Sequence, residues 1–293
     1  MSDPLATVTS PDERGMILIN VLVIVMLATS VLAIMLAGQD SVIERSLSSR
    51  EAAQAMAIAR GGELSAVVAL RRDLASGSSS DSLAEPWANI AEHEQAIAGG
   101  KFSFAVSDAQ ARFNINAVAR GDAVSSAMFG DVAAAAGLSP AAVERITALL
   151  HLAGPVDDLS AFRTAGLSDD ELARLAQFCT ALPEQTSVNL NTAPEVLIAA
   201  LANNPDTART LVALRGRSGG LTSAALSAAN LIAPIGTGLT SDYFWARSRV
   251  TMGGTAQAMT SLLHRHLRDG RPAVDAIRRW RGRAPLEAPA LAR

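Results

Sequence analysis

Apolar and polar positions divide the chain into three regimes. From Met16 to Gln39 no residue is charged, and the run Met16–Gly38 is apolar on every side of a helix. A bilayer-spanning helix needs ~20 such residues. The next stretch, to Leu74, keeps a helical period but becomes amphipathic. Small residues at Ala55, Ala59, Gly62 and Ala66 form one face, and Leu64, Val67, Leu70 and Leu74 a bulkier stripe. No proline falls between Pro11 and Pro86, so one helix can run from Met16 to Leu74, on the order of 90 Å at 1.5 Å per residue. Gly61-Gly62 is where it could break, and its small-residue face suits close docking on a sheet.

Beyond the breaker cluster Gly77-Ser78-Ser79-Ser80 the period changes. Lys101–Val106 alternates as a strand does, and alternation resumes from Arg112 to Asn116. Glu92-His93-Glu94 reads as part of a polar connection. Ala123–Leu182 carries helix punctuation: Ser139-Pro140 opens one segment, Asp158 caps a short one, Gly166 ends it, and Ser168 caps the run Asp169–Cys179. In Val188-Asn189-Leu190-Asn191-Thr192-Ala193-Pro194 two apolar residues alternate with two asparagines, and Thr192 is placed to cap a helix holding Pro194 and Glu195. From Tyr243 the pattern is β again, with turns at Gly253-Gly254 and Gly270-Arg271.

Composition narrows the function. Of the 293 residues 49% are hydrophobic but only 4% aromatic, and much of that fraction is Ala, which favours closely packed helices. A net charge of −3 gives no general pull towards nucleic acid. The basic stretch Arg278, Arg279, Arg281 and Arg283 reads as a solvated tail. Cys179 is the sole cysteine, so no intrachain disulfide forms, and its apolar setting suits a small core residue. His264 and His266 share one face of a strand but lack a third ligand nearby, so they read as a surface pair. No hydrolase, zincin, Walker or dinucleotide fingerprint is present, and four histidines with one cysteine leave little for a catalytic centre.

The junction Arg14-Gly15-Met16 ahead of a long apolar helix resembles a type IV prepilin or pseudopilin. Asn114-Ile115-Asn116, the Val188–Pro194 motif and Ser241-Asp242-Tyr243-Phe244 resemble the K-type minor pseudopilins of type II secretion. The resemblance implies an α+β, pilin-like fold. A long transmembrane helix would pack on a small antiparallel sheet, with a large inserted helical domain of helix-hairpin-helix or SAM-like type. It implies a cleaved leader at 1–15, a transmembrane helix at 16–39, helix extension and first strands at 40–120, the insertion at 121–239 and final strands at 240–293. A prepilin peptidase would cut after Gly15 and methylate the amine of Met16.

Asn20 would then stand at the fifth mature position, where shaft subunits carry a glutamate that meets a neighbour's buried amine. A neutral residue there points to a terminal place in the fibre. Asn189, Asn191, Thr192 and Pro194 carry the family motif. Implied partners are the I- and J-type minor pseudopilins, the major pseudopilin, the inner-membrane assembly platform and the prepilin peptidase, with the secreted substrate or secretin beyond them. The implied location is the bacterial inner membrane, N-terminus cytoplasmic and C-terminal domain periplasmic. No catalytic residue, cofactor, metal or nucleic acid is implied. The acidic calcium-associated stretch of larger members has no counterpart between Leu150 and Asp158. The alternative is a membrane-anchored helix-hairpin-helix protein that binds DNA, since such modules share the Asn-Leu-Asn-Thr-Ala signature.

Overall fold

The computed structural model describes residues 11–291. Most of the expected leader, residues 1–10, therefore lies outside the described residues. The chain divides into two compact units, Met1–Glu51 and Ala52–Arg293. Helix α1 (Pro11–Ser76) is continuous in secondary structure, and Gly61-Gly62 does not interrupt it. In the first unit Leu18–Met35 is long and apolar enough to cross a membrane. Its side chains are exposed all round, from Val23 at 47% to Ile34 at 73%. A surface of that kind in a single chain is suited to lipid, which fits a membrane anchor.

The second unit builds around an antiparallel sheet. After α1 come β1 (Ala91–Ile97), β2 (Gly100–Asp108) and a two-residue β3 (Phe113–Asn114). Helices α2 (Ala123–Ala135), α3 (Pro140–Ala153) and α4 (Asp169–Phe178) follow, then β4 (Cys179–Thr180) and β5 (Val188–Asn189). Next are α5 (Glu195–Ala202), α6 (Pro205–Ser218), α7 (Ser223–Ala228) and β6 (Thr237–Gly238). Long strands β7 (Tyr243–Met252), β8 (Thr255–Arg268) and β9 (Arg271–Arg281) close the chain. The main sheet has the order β1-β2-β7-β8-β9. Strands β2 and β7 are direct neighbours, paired from Gly100↔Met252 to Asp108↔Phe244. All the residues between them in sequence therefore form an insertion.

The small-residue face of α1 explains how the helix lies so close to the sheet. Ala55, Ala59 and Ala66 are fully buried, as is Leu70. A Cβ on Gly62 would fall 2.9 Å from the Phe104 ring, so only glycine fits without displacing that ring. Leu64, expected in the bulky stripe, is instead exposed at 62%. It points away because the sheet meets the alanine face. Glu63, on the buried side, receives two hydrogen bonds from Arg279 Nε and one from its Nη2, and another from Ser261.

The insertion has its own core, including Phe129, Ile146, Leu150, Phe162, Leu172, Leu197 and Leu211. Ser139 caps α3 as expected, and Ser168 with Glu171 forms a full capping box on α4. Three sequence expectations need correction. The alternation at Arg112–Asn116 makes only the two residues of β3, because Asn114 turns the chain into a 3₁₀ helix by accepting from Asn116 N. Glu92-His93-Glu94 belongs to edge strand β1, where Glu94 has φ of 44° and the pairing slips between Glu92 and Gln95. The arginine run is not a tail but lies on and just after β9. There Arg278 pairs with Asp157 and Arg279 with Glu63.

Candidate functional site: the junction of helix, sheet and insertion

The insertion leaves the sheet at Asp108 and returns at Ser241, and the asparagine motif ties the two ends together. Asp108 is fully buried at the end of β2. Its Oδ1 accepts from Gln110 N at 2.7 Å. Its Oδ2 accepts from Asn189 Nδ2 at 2.9 Å, Ser241 Oγ at 2.7 Å and Thr192 Oγ1 at 2.5 Å. Burial pushes the carboxyl above its usual range, and those four bonds pull it back only in part. Asn189 Nδ2 also reaches Asp81 O and Ser241 Oγ, while its Oδ1 accepts from Asn191 N. Gln110 Oε1 accepts from the backbone amides of Asp242 and Tyr243.

Arg265 extends the junction to α1. Its Nη1 lies 2.5 Å from Asp73 on α1, and its Nη2 lies 2.5 Å from Asp81 and 2.6 Å from the Ser241 carbonyl. The guanidinium also sits 4.9 Å from the centre of the Phe244 ring. Asp73, Asp81 and Glu85 bring their oxygens within 4.8 Å of one another. These oxygens are already engaged, since Arg265 takes both aspartates, and Trp87 Nε1 and Ser78 donate to Glu85. Burial and then the nearby Glu85 raise the Asp73 carboxyl to about 6, against the pull of Arg265. The cluster therefore works as an internal ionic clamp.

Asn116 and Asn191 perform the same task in two places. Asn116 accepts from Val156 N and donates to Val156 O, each at 2.9 Å. Asn191 accepts from Leu221 N at 2.5 Å and donates to Leu221 O at 3.0 Å. Each side chain thus imitates a backbone strand partner. Val156 and Leu221 stand at the same offset after the helix-opening prolines Pro140 and Pro205. Two-residue parallel pairs accompany both, β3 with β4 and β5 with β6. The insertion is thus two similar half-units in tandem.

The motif residues meet at this junction, with one reassignment. Thr192 does not cap α5, whose N-cap is Pro194 without a side-chain bond. Its hydroxyl instead donates to the buried Asp108 carboxylate. Met16 and Asn20 are exposed on the anchor helix of the first unit. Gly15 falls within α1, and nothing more is described there. Sequence reasoning missed Arg265 because the flanking histidines drew attention. The available signal was a charged residue on the apolar Leu263–Leu267 face of a strand. His264 and His266 stack on each other at 4.8 Å, and His264 on Tyr243 at 4.5 Å. Cys179 is buried and its thiol pushed far up by desolvation, which suits packing and not nucleophilic attack.

The turn between α5 and α6 does not favour the DNA-binding alternative. Asn203 there adopts φ of 47°, Asn204 caps α6 through Asp206 N and Thr207 N, and the Asp206 carboxylate, paired with Arg209, occupies the first turn. A phosphate approaching those amides would meet a negative charge.

Comparison with known proteins agrees with the architecture. Residues 188–252 match the sequence model of the family described as type II secretion system (T2SS), protein K. The chain is 29% identical over 321 aligned positions to the type II secretion system protein K of Pseudomonas aeruginosa, covering 94% of this chain and 95% of that protein. The fold is similar, at a TM-score of 0.64 and 19% identity, to a chain in the crystal structure of the GspK-GspI-GspJ complex from the enterotoxigenic Escherichia coli type 2 secretion system. That likeness covers 82% of this chain and all of the other. In sequence and in fold the chain is similar to type II secretion system protein K.

Proposed function

We propose that this protein is a K-type minor pseudopilin, a structural subunit at the tip of the type II secretion pseudopilus that helps to start assembly and to export folded proteins. One observation carries the reading. A helix that is apolar all round in its anchor half becomes, from Ala55, the packed spine of an antiparallel sheet bearing a large insertion. Such a body is held at a membrane and is too bulky to repeat along a narrow shaft. The N-terminus would be cytoplasmic and the unit Ala52–Arg293 periplasmic. Cleavage after Gly15 and methylation of Met16 would free the anchor from its leader. Asn20, neutral and exposed, would leave no carboxylate for a neighbour's amine from above.

The I- and J-type minor pseudopilins are the expected partners, with the major pseudopilin and the assembly platform further along the pathway. The test is co-expression of the full chain with its cognate I- and J-type subunits in cells with and without prepilin peptidase. The three should co-purify from detergent, and N-terminal sequencing should start at Met16 only when the peptidase is present. Failure to co-purify, or an intact leader in peptidase-positive cells, would overturn the assignment.

A further inference from the structure

The chain does not leave the fold after β9. Residues 283–291 double back over the face of the sheet opposite α1. Ala288 is buried with Tyr243, Trp245 and Leu262, and Leu286 packs on the core of the insertion. Arg247 Nη1 donates to the carbonyls of Ala288 and Pro289. Between these anchors Glu287 is completely buried. Its Oε2 accepts one long bond, 3.4 Å, from the backbone N of Leu159, and its Oε1 has no partner. The charged and titratable groups around it are Asp158 on the Leu159–Arg163 turn, Arg112 beyond β2 and the Cys179 thiol on β4. One weak donor cannot satisfy a buried carboxylate, whereas a protonated acid loses far less on burial.

We propose that residues 283–291 form a strap that covers the Tyr243–Trp245–Leu262 face and that protonation of Glu287 gates its docking. Desolvation, with Asp158 adding to it, raises this carboxyl from the usual 4.5 to about 7, against the nearby backbone amides and Arg112. The sign follows from linkage. A raised acid in the docked state holds its proton there, so docking is strongest below the free value and weakens as pH rises through the docked one. Between pH 6 and pH 8 the docking equilibrium should fall about ten-fold. Release uncovers an aromatic face beside the insertion, where a partner's apolar segment could replace the strap.

Hydrogen exchange of the full-length chain in detergent micelles, corrected for intrinsic rates, tests this at pH 6, 7 and 8. Protection of residues 283–291 should drop about ten-fold across that range, while β7 and β8 stay protected. Glu287→Gln should hold the strap equally at all three pH values. Asp158→Asn, which keeps the turn's cap, should move the midpoint down. A wild-type strap with constant protection from pH 6 to 8 would overturn the proposal. So would a wild-type pH dependence retained in Glu287→Gln, and if that variant does not fold, an unmoved midpoint in Asp158→Asn decides against it.

Discussion

Removing Arg279 should cost more stability than neutralising Glu63, although the two form one ion pair. Arg279 Nε lies 2.8 Å from Glu63 Oε2, but the arginine side chain is 51% exposed and the glutamate 7%. Burial alone would raise the glutamate's pKa, yet the bonds from Arg279 and Ser261 outweigh it and hold the carboxyl below its ordinary range. Arg279→Ala strands a buried carboxylate with Ser261 as its remaining donor. Breaking a fully buried pair costs about 3–5 kcal/mol, and the arginine's exposure puts this one at the low end, about 3 kcal/mol. Glu63→Gln keeps an acceptor for Ser261 and leaves Arg279 free to turn to water, so it should cost about 1 kcal/mol. At an m-value of ~3 kcal/mol/M the first change moves the urea midpoint by about 1 M and the second by about a third of that. The double variant should be more stable than Arg279→Ala alone, because the stranded charge is gone. Acidification separates the cases further. The wild-type pair contributes above the free glutamate value and loses its contribution as pH falls through the depressed one. In Arg279→Ala the carboxyl is raised, so stability should instead recover between pH 7 and pH 5. Urea unfolding followed by tryptophan fluorescence reads all four proteins. Additive losses in the double variant, or a Glu63→Gln cost equal to that of Arg279→Ala, would refute this reasoning.

Three further outcomes follow from the packing and the anchor. Asn189→Ala removes the link between Asp108, Asp81 and Ser241 and should cost about 2–4 kcal/mol, whereas Thr192→Val, which loses one hydroxyl bond, should cost about 1 kcal/mol; thermal melts measure both. Gly62→Val should destabilise by about 3 kcal/mol through the Phe104 clash, while Gly61→Ala, with nothing within 4 Å, should stabilise by about 0.5–1 kcal/mol in the same assay. Asn20→Leu should leave secretion intact, since no ionic role is lost, and Asn20→Glu should leave leader cleavage intact without making the protein a shaft subunit; a severe secretion defect in Asn20→Leu at normal protein levels would sink the tip argument.

Much of this fold is legible in sequence because its signals are local. The apolar run, the alanine stripe and the caps Ser139, Asp158 and Ser168 each act within a few residues, and each appears where expected. What stayed hidden depends on partners far along the chain. Thr192 looks like a cap until Asp108, 84 residues earlier, claims its hydroxyl. Arg279 looks solvated until Glu63, 216 residues earlier, faces it. β1 looks like a loop because an edge strand, exposed on both faces, has no hydrophobic alternation to display. Glu287 lies in a Pro- and Ala-rich ending, and only the tertiary fold shows that it is buried.

The distribution of charge explains how one subunit carries two bodies. Inside the insertion the long-range closures are made by neutral amides, Asn114, Asn116 and Asn191, which copy backbone pairing at Leu182, Val156 and Leu221. Where the insertion, the sheet and α1 converge, the closures become ionic: Arg265 with Asp73 and Asp81, Arg279 with Glu63. Neutral amide clips change little with pH or salt, so each half-unit keeps its shape as conditions change. The ionic closures respond to pH, since burial raises the Asp73 carboxyl to about 6, and the half-exposed Arg279 pair responds to salt as well. The soft points therefore lie at the seams between bodies and not within them. A subunit that must keep a fixed head while its attachments to helix and tail are adjusted during assembly would be built in this way.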